Sequence, residues 1–328
     1  VLYQVFPYRL YDLFVRGALP EFAAFLWLPW IVLAALHVLD RWNRSVAPLA
    51  PANGILLIAP ALCWAGLILT HNLTAFMAAV GLLIAWPLVA MGFDASTRRG
   101  GIDANRPNSH SSPVSMPSYE RIDGTAAALA DADAMPMYPA RLLRSGWQLL
   151  APLALAGLLS AWYILPAILE AGWVGLGAAG TSNGYANHFA AVGALFDWSW
   201  RFPYPDAAAP TAPLPAYVLV ALVAGVTLAL LAPGKERRAR AGQKTVLIWA
   251  VMTGVAIWLT TAASAFLWDL LAPVMSNLQF PWRWQTLVGL GTAALATLAI
   301  ALLPFSDRWR RGLALAVLMA VTVYGLAG

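Results

Sequence analysis

Apolar residues run through this chain in long blocks separated by short polar intervals. A helix that crosses a bilayer needs about 20 mostly apolar residues. Eight segments meet or approach that length: residues 22–39, 54–70, 73–93, 147–166, 214–232, 245–263, 284–303 and 313–327. Only Thr70-His71-Asn72 separates the second from the third, which predicts a tight hairpin. The expected fold is all-α, a polytopic transmembrane helical bundle of about eight spans that forms one domain over residues 1–328. Residues 264–283 (SAFLWDLLAPVMSNLQFPWR) are apolar enough to dip into the membrane but are interrupted by Pro273 and Pro281. Irregular backbone is stable at that depth only against protein or a wet cavity. This segment therefore predicts interfacial or re-entrant structure around a pocket. Residues 167–213, with Trp173, Tyr185, Trp198, Trp200 and Tyr204 among Gly, Asn and Pro, add to the same face.

Charge supplies an orientation. Sixteen of the twenty Lys and Arg residues fall in the intervals 40–53, 94–146, 233–244 and 304–312, which share one side of the predicted bundle. Basic loops stay cytoplasmic, so the other side, with Arg9, Arg16, Arg201 and Arg283, is expected to be extracytoplasmic. Composition agrees: 61% of residues are hydrophobic and 11% are charged, against about 25% charged in soluble domains. A pI near 9.6 fits an anionic inner leaflet, and no basic-aromatic surface points to nucleic acid. The expected location is the cytoplasmic membrane, with the functional face extracytoplasmic. The 94–146 interval is rich in Ser, Pro, Ala, Asp and Gly and reads as a flexible cytoplasmic linker. Cys63 is the single cysteine, so no intrachain disulfide can form. The chain opens Val-Leu-Tyr and reads as a fragment of a longer protein.

Candidate chemistry lies on the outer side. Pro7 suits the first position of a helix, and a helix over 7–16 places Arg9, Asp12 and Arg16 on one face, opposite Phe6, Leu10 and Phe14. Two readings fit. The pair Asp12 and Arg16 is an ordinary interfacial ion pair worth a few tenths of a kcal/mol, or Asp12 fixes Arg16 as a planar fork for a lipid phosphate. Glu21 falls in the first turn of the next helix, where the dipole favours a carboxylate. In Gln279-Phe280-Pro281-Trp282-Arg283, Arg283 snorkels from an aromatic belt or binds phosphate, with Trp282 against a sugar or apolar chain and Gln279 on hydroxyls. Glu170 sits at a span end as a solvated acid, or as a carboxylate beside a wet, aromatic-lined cavity that holds a sugar or serves as a base. Asp197 and Asp269, outer acids flanked by Trp, read as structural. His71 and Asn72 occupy the hairpin, where turn capping competes with ligand contact. His37, His71, His110 and His188 are scattered, so no metal site is expected. No cofactor motif is apparent. A Gly-rich phosphate loop with its Lys is absent from the sequence, which argues against an ATP-driven pump. Few charges lie at mid-membrane positions, which argues against ion-coupled transport.

The strip YRLYDLFVRGALPEFAAF at 8–25 resembles the membrane proteins labelled "6-pyruvoyl-tetrahydropterin synthase-related", a bacterial and archaeal family close to the YfhO-like proteins. THNLTA at 70–75, SAWYILPAILEAGWV at 160–174 and SAFLWDLLAPVMSNLQFPWRW at 264–284 follow in the same order. The soluble pterin enzyme's three-His zinc site is missing here. The resemblance implies a GT-C-type architecture and transfer of a sugar from a polyprenyl-phosphate-linked donor. It also implies a catalytic acid in an outer loop upstream of Val1, and it matches Asp12, Arg16, Glu21, His71, Asn72, Glu170, Gln279 and Arg283. Within this sequence Asp12 and Glu170 are the candidate catalytic carboxylates. Two other functions fit the same outer face: a lipid or polysaccharide transporter without catalysis, and a scaffold for envelope assembly.

Overall fold

The computed structural model describes residues 3, 6–14, 16–44, 55–92, 138–170, 185–191, 217–231, 237–303 and 305–326. Among these residues the chain is all-helical; its only extended pairing is an isolated bridge between Ala190 and Thr261. The helices are α1 (Pro7–Phe14), α2 (Leu19–Ala24), α3 (Trp27–Arg44), α4 (Ile58–Thr70), α5 (Asn72–Gly92), α6 (Tyr138–Leu159), α7 (Ala161–Leu169), α8 (Tyr217–Leu231), α9 (Arg237–Thr260), α10 (Ala265–Leu270), α11 (Ala272–Met275), α12 (Gln285–Leu302) and α13 (Asp307–Leu326). Short 3-10 turns lie at Tyr185–His188, Ala262–Ser264, Ser276–Leu278 and Pro281–Trp284.

Every segment expected to cross the bilayer is helical. Among the described residues five stretches are long and apolar enough to do so: Leu19–Asp40, Asn72–Ala90, Leu142–Leu159, Gly242–Thr260 and Pro281–Leu302, while Ile58–Thr70 and Tyr217–Leu231 are shorter apolar helices. This is consistent with a multi-pass membrane protein. Large apolar side chains such as Trp30, Leu33, Leu158 and Trp162 point outward, as lipid-facing surfaces require.

Several boundaries differ from the sequence-based expectation. The span at 22–39 turns at Phe25 and Leu26, between α2 and α3. The span at 147–166 breaks at Ser160, where Tyr163 N and Ile164 N both bond the Ser160 carbonyl. Pro166 lies inside α7, where its missing N–H leaves the Trp162 carbonyl without its helical donor. Helix α6 begins at Tyr138 and α9 at Arg237, well inside the intervals expected to be loops. Arg, Lys, Ala and Gln favour helix and extend both elements past their apolar portions. The linker proposed for 94–146 therefore ends before Tyr138; residues 93–137 lie outside the described residues.

Two groups of helices build the bundle. Helix α6 packs against α4, α5 and α3, while α12 packs against α9 and α8 and touches α5 and α1. In lipid no hydrophobic force drives helices together, so close packing and interhelical hydrogen bonds decide how they pair. The Trp27 indole lies over Gly66, where a Cβ would fall 2.6 Å from the ring, and its N–H donates to Thr70 Oγ1 at 3.0 Å. The Trp86 indole lies over Gly146 in the same way and donates to the Leu142 carbonyl at 2.8 Å. Gly289 is similarly covered by Phe6, which seats α1 on α12.

Overpacking of this kind costs about 1–3 kcal/mol. Gly66→Ala and Gly146→Ala should each lower the thermal unfolding midpoint of the detergent-solubilised protein. Gly157→Ala, with open space at its Cβ, should leave it unchanged or raise it. Equal midpoints for all three variants would contradict the packing described.

Candidate functional site

Helix α1 ends where Gly17 adopts φ 61°, a left-handed conformation that costs glycine little. The chain then reverses: Ala18 N bonds the Asp12 carbonyl at 2.7 Å and Arg16 N bonds the Tyr11 carbonyl at 3.0 Å. This turn lays the first turn of α2 back over α1. Tyr8 and Asp12, one helical turn apart, are brought to Glu21, with Arg16 between them.

The four side chains form one buried network. Arg16 Nη1 donates to Asp12 Oδ1 at 2.5 Å, to Glu21 Oε2 at 3.0 Å and to Tyr8 OH at 3.2 Å. Tyr8 OH donates in turn to Glu21 Oε1 at 2.5 Å. Asp12 is 0% exposed and Glu21 1%. Asp12 Oδ2 has no hydrogen-bond partner among the described residues. The hydrogen bonds of Arg16 among those residues all run through Nη1, and its side chain retains 19% exposure.

The fifth member arrives from the far end of the chain. Gln279 has φ 62°, an uncommon conformation for a residue with a Cβ, and it turns the backbone into the buried 3-10 turn Pro281–Trp284. Arg283 is 7% exposed. Its Nη1 donates to the Leu278 carbonyl at 2.8 Å, its guanidinium lies 5.3 Å from the Phe280 ring, and its Nε sits 3.7 Å from Glu21 Oε2. Arg283 is therefore a buried partner of Glu21, not a snorkelling belt residue. Phe280 and Trp282 stack at 4.4 Å, and His188 sets its ring edge-on to both at 5.0 and 5.1 Å.

Burial and the Glu21 charge push the Asp12 carboxyl up to about 8, against the pull of Arg16. Burial and the two carboxylates raise the Tyr8 phenol well above its ordinary range. Burial pulls the Arg16 guanidinium down, but Tyr8, Glu21 and Asp12 together hold it above its usual value. His71 is lowered by burial and by Arg283 and Arg16, with Glu21 opposing, which places it within the field of the cluster. Its Nδ1 accepts from Thr74 N at 3.2 Å and lies 2.7 Å from Thr74 Oγ1, so it caps α5. Farther out, Tyr185 OH donates to Asp269 Oδ1 at 2.6 Å; this bond, with burial and the carboxylate charge, raises the phenol to about 12.

Of the residues picked from sequence, Asp12, Arg16 and Arg283 converge, with His71 beside them and Gln279 and Trp282 on the adjoining turn. Asn72 is the exposed first residue of α5 and Glu170 an exposed residue ending α7; neither carries an ion pair among the described residues. Arg9 leaves the face it was expected to share with Asp12 and places its guanidinium 4.3 Å from the Phe22 ring. Phe14, expected on the apolar face, is 71% exposed. Asp197 lies outside the described residues. Sequence reasoning overlooked Tyr8 and, beyond the family match, read Glu21 chiefly as a partner of the helix dipole. Yet Tyr8, Asp12 and Arg16 recur at every fourth position of an apolar strip. Among the described residues no three His, Cys, Asp or Glu side chains gather as metal ligands. No protein-family model, no curated protein and no solved structure matches this chain. The site is read from its own chemistry.

The Asp12 shift carries a stability signature. The native state keeps a proton between about pH 4, the ordinary Asp range, and pH 8 that the unfolded chain releases. The resulting stabilisation is full below about pH 4 and is lost as pH rises through about 8. Thermal unfolding from pH 5 to 9 should show this decline, and Asp12→Asn should flatten it. An unchanged slope in the variant would rule Asp12 out as its source.

Proposed function

We propose that this protein acts on a polyprenyl-phosphate-linked sugar at the extracytoplasmic face of a bacterial or archaeal membrane, as a glycosyltransferase-like protein of GT-C type with about eight spans. The observation that carries the reading is the pair of arginines held by carboxylates at one end of the bundle. Arg16 keeps 19% exposure and makes its hydrogen bonds among the described residues through Nη1; on this reading Nε and Nη2 meet two oxygens of one phosphate, as a planar guanidinium edge can. The opposite helix ends carry the basic residues Arg44, Arg144, Arg237 and Arg310, and the positive-inside bias makes those ends cytoplasmic.

An amphipathic ligand also needs a place for its chain. A groove of about 260 Å³ lies between α12 and α13, lined by Tyr3, Ala293, Thr297, Ile300, Val317 and Leu318. It starts roughly 12 Å along α12 from Gln285, at ~1.5 Å per residue. On this reading the phosphate rests against Arg16, and the isoprenoid chain takes the apolar groove between α12 and α13. In the transfer step the acceptor oxygen bonds the anomeric carbon as the bond from that carbon to the phosphate oxygen breaks. The bonding pair leaves on the phosphate, where Arg16, backed by Glu21 and Arg283, stabilises the added charge. The acceptor proton passes to a carboxylate, the role that the family resemblance implies for an outer-face acid.

Deleting either arginine would remove one of the two cations that offset the buried Glu21 charge, which destabilises the fold, so alanine variants confuse folding with function. Arg16→Lys keeps the charge and removes the planar fork. It should retain the unfolding midpoint within a few degrees while lowering sugar transfer from a polyprenyl-phosphate donor by about 100-fold, the scale set by loss of one charge-stabilising donor. Full transfer by Arg16→Lys would refute the phosphate role. Movement of the lipid across reconstituted vesicles without any transfer would identify a lipid transporter.

A further inference from the structure

We propose that the Arg16 site takes up a proton on Asp12 together with its phosphate ligand, so that anion and proton bind as a pair. The inference rests on the phosphate reading above and extends it to the regulation of that site.

A count of charges leads there. Two cations, Arg16 and Arg283, face two carboxyl groups, Asp12 and Glu21. With all four ionised the cluster has no net charge, and an arriving phosphate meets two buried carboxylates as well as the guanidinium. With one carboxyl neutral the cluster has a charge of +1, and the phosphate anion balances it.

Geometry selects Asp12 as the proton's site. Both Glu21 oxygens are occupied, Oε1 by Tyr8 OH and Oε2 by Arg16 and Arg283. Asp12 accepts only one donor, Arg16 Nη1 on Oδ1, while its buried Oδ2 has none among the described residues. A charged Asp12 repels an arriving phosphate; a protonated one does not. The surrounding groups favour the neutral form. Tyr8 and Tyr11 come from α1, Arg16 from the turn after it, Glu21 from α2, Arg283 from the 3-10 turn, and His71 senses Glu21 from the α4–α5 junction. Burial and Glu21 together outweigh the arginines in setting the Asp12 carboxyl. Linkage makes the coupling reciprocal: if the proton strengthens phosphate binding, phosphate strengthens proton binding equally.

The test uses the full chain in detergent with two phosphodiesters, dimethyl phosphate and farnesyl methyl phosphate. Each keeps a single fixed negative charge throughout, so any pH dependence belongs to the protein. Affinity should fall by about tenfold per pH unit above pH 8, as one coupled proton requires, and Asp12→Asn should bind with no such fall. The infrared carboxylic-acid band of a protonated Asp in the unsubstituted protein at pH 8 should grow as the probe saturates. Binding of the farnesyl probe alone would assign the pairing to a lipid headgroup, and equal binding of both would assign it to the phosphate itself. Flat affinity across pH, the same fall in Asp12→Asn, or a band indifferent to probe would overturn the pairing while leaving the phosphate site in place. Failure of both probes to bind at any pH would sink the phosphate reading and the pairing with it, whatever the band shows.

Discussion

Glu21 is a carboxylate withdrawn from water, and three separated stretches of chain are held by what it requires. An ionised group in such a setting loses several kcal/mol of solvation unless hydrogen bonds and opposite charge replace the water. The replacements come from Tyr8 on α1, Arg16 after it and Arg283 near the far end of the chain. Each has a position only because the backbone bends to provide it, at Gly17 in one case and Gln279 in the other. These bends have little value apart from the charge they serve, so helix entry, turn geometry and the seat of α12 hang on one acid.

The same centre explains why α12 is the most enclosed helix of the bundle. Residues 281–289 are all buried, and they include Gln285 and Thr286, polar side chains that sit uneasily among apolar neighbours. They lie next to Arg283, where the environment is already polar, and they give way farther along to Leu295 and Ala299. The helix thus grades from a polar, protein-enclosed end to an apolar, groove-bearing end.

Much of this was legible in the sequence. Hydrophobic block lengths locate every major helix, and the charge distribution marks the ends of the bundle that the site does not occupy. The 8–25 strip and Arg283 stood out for residue type alone. Helix ends were less legible, because α6 and α9 continue through Arg- and Lys-bearing turns that hydropathy alone reads as loop. The pairing of Glu21 with Arg283 could not be seen either, since it is a long-range contact that no local period encodes. The separation of Arg9 from Asp12 is of the same kind. A helical wheel gives both residues to one face, but only the tertiary position of Phe22 draws the Arg9 guanidinium away.

The two indole rings set over Gly66 and Gly146 have a consequence beyond tight packing. Each ring both fills the space left by a missing Cβ and anchors its N–H one helical turn from that glycine, at Thr70 in one pair and Leu142 in the other. A ring bound in two directions fixes rotation as well as distance. The helices can therefore neither roll nor slide without breaking a contact, and residues 27 and 66, like 86 and 146, can drift in evolution only as couples.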